Sequence, residues 1–106
     1  MSVPVIVRET VAPNRTTAIA TCPQGRWGTV MVTIVNHSHD FGPTVQPYIG
    51  GTLTNATMLY KRKLDVDGAP GDNFTLGGAM TEGESVFVVT DSPVNVVVTL
   101  ITELIV

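Results

Sequence analysis

The sequence predicts an all-β chain folded as a single antiparallel β-sandwich of jelly-roll type. Three observations predict it. Apolar and polar residues alternate with period two in several runs. Gly, Pro, Asn and Asp clusters separate those runs at regular spacing. No ten-residue stretch combines helical periodicity with capping residues. Seven or eight short strands with such turns suit a sandwich or jelly roll.

The last stretch, GESVFVVTDSPVNVVVTLITELIV, is the most strand-like. Val, Thr, Ile and Phe suit a pleated, half-buried surface. It divides into strands over residues 85–90 and 95–104, expected to form a closing hairpin around Asp91-Ser92-Pro93-Val94. Pro93 cannot donate to a ladder and stops the first strand. Val96, Val98, Leu100, Leu104 and Val106 share one parity, broken by Thr102, and mark the core face. The opposite face, with Val97, Ile101 and Ile105, is too apolar for free solvent and is expected to meet something else.

The preceding elements follow in chain order. Residues 2–11 are extended, and Pro4 suits a first-strand or edge position. Val3, Val5, Ile6 and Val7 belong to either a core strand or an arm laid on a neighbouring subunit. Ala12-Pro13-Asn14-Arg15 is a turn, and residues 16–21 are a short strand closed by Cys22-Pro23-Gln24-Gly25. Residues 27–36 give the clearest alternation. After a polar loop comes a strand over 44–49, which Pro47 assigns to an edge. Gly50-Gly51 reads as a turn, since glycine accepts positive φ. Residues 56–64 form a strand with Met58, Tyr60 and Arg62 on one face. A long turn, DVDGAPGD, leads to a short strand over 73–76, which Gly77-Gly78 is expected to end.

With 106 residues, one domain spanning 1–106 and one modest core are expected. Hydrophobic residues make up 43% and charged residues 14%, which leaves little polar surface to cover the outside. A net charge of −3 and one short basic cluster, Lys61-Arg62-Lys63, argue against a nucleic-acid partner. That cluster reads as a solvated strand end that protects an edge. Cys22 is the single cysteine, so no intrachain disulfide forms and no cysteine zinc site can be built. No segment has the length of a membrane helix or the layout of a signal peptide, so neither a membrane nor secretion is expected. Asn14, Asn36, Asn55 and Asn73 each lie two residues before Ser or Thr. Turns rich in Asn beside strands rich in Thr produce that pattern without glycans.

Candidate chemistry is sparse. His37-x-His39-Asp40 is the nearest approach to a metal-binding group, because residues two apart on an extended segment point the same way. The spacing lacks the fixed geometry of a zinc site, and no metal or cofactor is expected. Asp65-x-Asp67-Gly68 with Asp72 lacks the distal glutamate and helices of a calcium loop and reads as a turn. Cys22 and the histidines could form a nucleophile and base only if the fold joined them. No elbow, phosphate loop or metal-hydrolase motif occurs, so no catalytic residue and no enzyme activity are expected. Trp27, Phe41, Tyr48 and Tyr60 could stack on sugars, but on separate strands they read as core and interface anchors.

From residue 27 to 103 the layout resembles the small all-β virion proteins of tailed bacteriophages. An alternating strand ends at Asn36, a polar loop follows, and another strand runs toward Gly50-Gly51. Met80-Thr81-Glu82-Gly83-Glu84-Ser85-Val86-Phe87-Val88 is similar to a turn these proteins place before their closing hairpin, with Gly83 permitting the bend. The resemblance implies a non-enzymatic head decoration or cement subunit, made in the host cytoplasm and carried in the virion. It implies a homo-oligomer, with a trimer as the expected number, and the major capsid protein or other virion proteins as partners. A tail or head-fibre module binding host-surface carbohydrate is the alternative within the same family. Outside it, the rivals are an Ig-like or jelly-roll carbohydrate-binding module and, third, a host toxin or inhibitor. The residues expected at the interface between copies are Val3, Val5, Ile6, Val7, Val97, Ile101 and Ile105.

Overall fold

A computed structural model describes residues 3–105 and shows two antiparallel sheets packed face to face, without a helix in that range. The strands are β1 (Val3–Val11), β2 (Ala20–Thr21), β3 (Arg26–Val35), β4 (Thr44–Gly50), β5 (Thr57–Met58), β6 (Arg62–Lys63), β7 (Asn73–Met80), β8 (Ser85–Thr90) and β9 (Val94–Leu104). One sheet has the order β1-β9-β3-β7. The other has the order β2-β8-β4-β5, with β6 also paired to β4.

Period-two alternation builds the core. Val30, Val32 and Ile34 of β3 and Val94, Val96, Val98 and Leu100 of β9 point inward from the first sheet. Val45 and Ile49 of β4 and Val86 and Val88 of β8 meet them from the second. At about 1.5–3 kcal/mol for each large aliphatic side chain, these rows are the main source of stability. The N-terminal residues form a strand of the first sheet: β1 pairs with β9 along its whole length, from Val3↔Thr102 to Val11↔Val94.

Several expectations are corrected. β8 and β9 do not form a hairpin, because they lie in opposite sheets. The Asp91–Pro93 segment carries the chain across the sandwich. Asp91 accepts the Thr44 N–H on its side chain at 2.9 Å, and Thr90 Oγ1 donates to the Ser92 carbonyl, so the crossing is tied to β4 and to itself. Leu104 shares the parity of the core row but is exposed, beyond the reach of the second sheet. Val106, next in that row, lies outside the described residues. β4 is not an edge strand, because β8 flanks it on one side and β5 and β6 on the other. Pro47 fits because its carbonyl accepts the Leu59 N–H at 2.8 Å. In an antiparallel ladder N and C=O of one residue face the same way. The missing N–H therefore faces the gap between β5 and β6, and the strand expected over 56–64 is broken there.

The glycines also differ from expectation. Gly77-Gly78 lies inside β7, where a Cβ on Gly78 would come within 3.2 Å of Ile49 Cδ1. Gly50 ends β4 without positive φ, and its Cβ would lie 2.5 Å from Ala56 Cα. At Gly50 and Gly78 the constraint is close approach, not turn conformation; at Gly77 a Cβ would make only ordinary contact. Gly83 does turn as expected, with φ of 80°.

Candidate functional site

The outer face of the first sheet is a continuous four-stranded surface. Its register places four cross-strand rows side by side: Pro4, Ile101, Thr29, Ala79; then Ile6, Thr99, Met31, Gly77; then Arg8, Val97, Thr33, Thr75; then Thr10, Asn95, Val35, Asn73. Arg8 alone carries a charge in those rows. Ile6, Met31 and Ile101 are each about half exposed, as is Trp27 just beyond the first row. Across the face the Thr33 and Thr75 hydroxyls lie 2.8 Å apart and the Thr10 hydroxyl donates to Asn95 Oδ1 at 2.8 Å. The small residues Gly77 and Gly78 leave a shallow groove of about 320 Å³ bounded by Met31, Thr99 and Ile101. With one charge in its rows, such a face offers few ion pairs; its half-exposed Ile6, Met31 and Ile101 can bury apolar area against another surface.

The expected interface residues divide between two places. Ile6, Val97 and Ile101 share the outer face. Val5 and Val7 point to the opposite side, toward the interior, because successive side chains alternate along a strand. Val3 pairs with Thr102, and its side chain lies outside the described residues. Ile105 follows the end of β9, exposed, with its N–H bonded to the Gly25 carbonyl at 2.9 Å.

A second cluster joins two loops that were read separately from the sequence. Asn36 is fully buried at the end of β3. Its Nδ2 donates to the carbonyls of Phe41 (2.7 Å) and Asp65 (2.9 Å), and its Oδ1 accepts the Ser38 N–H at 3.0 Å. Its own N–H donates to the Asp72 carbonyl at 2.8 Å. One amide thereby fixes the 37–42 loop and the 65–72 loop against each other. Buried as it is, Asn36 cannot accept a glycan in the folded chain.

This arrangement brings His37 and His39 to one carboxylate. His37 Nδ1 lies 3.7 Å from Asp67 Oδ1 and His39 Nε2 lies 3.5 Å from Asp67 Oδ2. Both rings are largely exposed. Asp40, adjacent in sequence, is exposed in the loop and is not the carboxylate the histidines meet. Among the described residues no group of three or more His, Cys, Asp or Glu side chains is arranged to hold a metal ion. The Asp67 contact was not legible from spacing, since it depends on Asn36 docking one loop on the other. In the second loop the Asp72 carboxyl is held below its ordinary range, first by the Gly68 N–H and then by the Asn73 amide.

Cys22 and the histidines do not meet. Cys22 precedes the start of β3 and His37 follows its end, so a strand of ten residues, about 30 Å at ~3.3 Å per residue, separates them. Cys22 is buried, and burial pushes its thiol up. The aromatics do not share a platform either. Trp27 stands at the start of β3 and Phe41 lies beyond its end, while Tyr60 packs edge-on against Phe74 with ring centroids 5.8 Å apart. Arg62 lies over the same Phe74 ring at 5.6 Å, which covers part of the basic cluster's apolar stem.

No family model matches the chain, and no curated protein matches it.

Proposed function

We propose that the chain is a non-enzymatic structural subunit of a tailed-bacteriophage virion, a capsid decoration or cement protein that stabilises the head as an oligomer. The observation that carries this reading is the outer face of the β1-β9-β3-β7 sheet, broad and nearly uncharged, with Ile6, Met31 and Ile101 half exposed on it. A lone copy would leave that face wet. A subunit laid on a capsid lattice and on its own copies would bury it, and its partners would be the major capsid protein and other copies of the chain. The trimer comes from the resemblance alone.

We read the two sheet orders as those of a jelly roll, with β5 and β6 as one interrupted strand. From β1 to β4, and again from β7 to β9, each strand is followed by one in the opposite sheet. Jelly rolls serve in viral capsids and also in lectins, so the order supports both the virion reading and its rival. The rival, a tail or head-fibre module binding host-surface carbohydrate, is favoured by one feature. Half-exposed Tyr60 borders a groove of about 350 Å³ that Arg62, Phe74 and Thr75 also line. Purified protein added to expanded empty capsids separates the two. A decoration subunit binds them and raises their resistance to heat. A fibre module ignores capsids and binds host polysaccharide, with Tyr60→Ala weakening that binding.

A further inference from the structure

We propose that β1 of one copy pairs antiparallel with β1 of a second copy across a two-fold axis, joining their four-stranded sheets edge to edge. The inference rests on the self-association in the reading above, not on the virion.

β1 is an edge strand, with β9 on one side only. The direction of its free backbone groups follows from β9. A Cβ on Gly28 would fall 2.1 Å from the Ile101 carbonyl oxygen, so that carbonyl points at β3. N–H and C=O of one residue in an antiparallel strand face the same side. Ile101 is therefore bonded to β3, and Pro4, its partner on β1, turns its backbone away from β9. The same holds for every second residue, Ile6, Arg8 and Thr10. Their N–H and C=O groups line the open edge. Pro4, which has no N–H, sits where its own sheet requires none. Natural edges are usually blunted by lysines, bulges, inward-pointing charges or covering loops; on β1 the blunting is limited to Pro4 at one end, Arg8, and Glu9 near the other end, whose charge Arg15 pairs.

The sandwich is also open beside this edge. Val5 faces the interior yet is 44% exposed. β2 has only two residues, so the second sheet stops short of β1. The result is a cleft of about 240 Å³ lined by Val5, Val7, Ala20 and Leu100, with Arg26 and Thr102 at one end. On the opposite side Tyr60 and Arg62 reach across to Phe74.

A second copy fits because the edge is complementary to itself. A two-fold axis perpendicular to the sheet keeps inner face beside inner face and outer beside outer. Centred on Ile6, the pairing sets Ile6 against Ile6, Val5 against Val7 and Pro4 against Arg8 of the second copy. Apolar side chains meet on both faces, and no like charges are opposed. Centring on Arg8 would oppose two guanidinium groups. Centring on Val7 would lose the Ile6–Ile6 contact and set Ile6 against Arg8 and Val5 against Glu9, which Arg15 already holds at 2.6 Å; centring on Ile6 confines the Glu9 mismatch to Val3 at the end of the strand. An edge consumed by a two-fold axis cannot also close a three-fold ring, so the assembly is a dimer or a multiple of one.

Sedimentation of the full chain tests this. The expected mass is twice 11.3 kDa, or an even multiple of it, at micromolar concentration. Ile6→Pro removes an N–H that the copy's own sheet does not use and should weaken association at least 100-fold while the far-ultraviolet strand spectrum persists. Ile6→Lys should do the same without touching the backbone. Ile6→Cys should give a cross-linked pair with a short thiol-reactive linker, whereas the wild type, with Cys22 buried, should not. A mass of 11.3 kDa for the wild type would overturn both this pairing and the wider self-association. An oligomer of odd number, or one indifferent to Ile6→Pro and Ile6→Lys, would overturn the pairing alone.

Discussion

Replacing Asn36 by alanine should destabilise the chain more than any other single polar truncation in its loops. The side chain makes three hydrogen bonds, two as donor to the Phe41 and Asp65 carbonyls and one as acceptor from the Ser38 N–H. A net contribution of about 1 kcal/mol for each bond gives about 3 kcal/mol. Water entering the vacated space would recover part of that, and groups left unpaired would add to it, so the expected loss is about 2–4 kcal/mol. At roughly 4–8 °C per kcal/mol for a chain near this size, Tm should fall by about 10–30 °C. Asn36→Asp sharpens the test. It keeps the shape but points a carboxylate at two carbonyl oxygens, so its loss at neutral pH should equal or exceed that of Asn36→Ala. The deficit should shrink when the pH falls far enough to protonate the new carboxyl. Exposed Asn55→Ala is the control and should stay within about 0.5 kcal/mol. Urea titration followed by Trp27 fluorescence measures all three. A loss below about 0.5 kcal/mol for Asn36→Ala would refute the claim that this amide ties the two loops together.

Other outcomes follow from single contacts. Gly28→Ala drives a methyl group to 2.1 Å from the Ile101 carbonyl oxygen, so the β3–β9 ladder must shift; a Tm drop well beyond that of Thr29→Ala is expected. Cys22 should resist thiol reagents in the native state and react on unfolding, because it is buried and its thiol is pushed above its ordinary value of 9.0; rapid native labelling would contradict that. The Asp72 carboxyl is depressed in the folded chain, so its contribution is present above its ordinary value of 3.8 and is lost as pH falls through the lower folded value. Acid titration of Asp72→Asn should therefore show a shallower loss of stability in that window than the wild type.

Much of the fold is legible in the sequence because β-alternation is local. The runs in β3 and β9 announce both their direction and their core face. What crosses the sandwich is not local. Nothing in Asp91-Ser92-Pro93 distinguishes a hairpin from a passage between sheets, and the difference is fixed by Asp91 bonding β4. Gly77-Gly78 resembles a turn until Ile49 of the other sheet is seen to need the space. The same holds for the surfaces. The apolar second face of β9 is readable from Val97 and Ile101. Its continuation through Met31 and Ile6 requires the register of three strands. Reading Val3–Val7 as one apolar block hides the alternation that sends Ile6 outward and Val5 inward. The His37–Asp67–His39 contact depends wholly on loop docking through Asn36.

The central claim is that this β-sandwich is a structural part of a virion. If the proposal holds, the chain is a component of purified phage particles, and quantitative mass spectrometry of such virions tests that most directly. Hundreds of copies per particle are expected for a head decoration subunit. A few dozen or fewer would move it to the tail or a fibre, and its absence from the particle would contradict the claim.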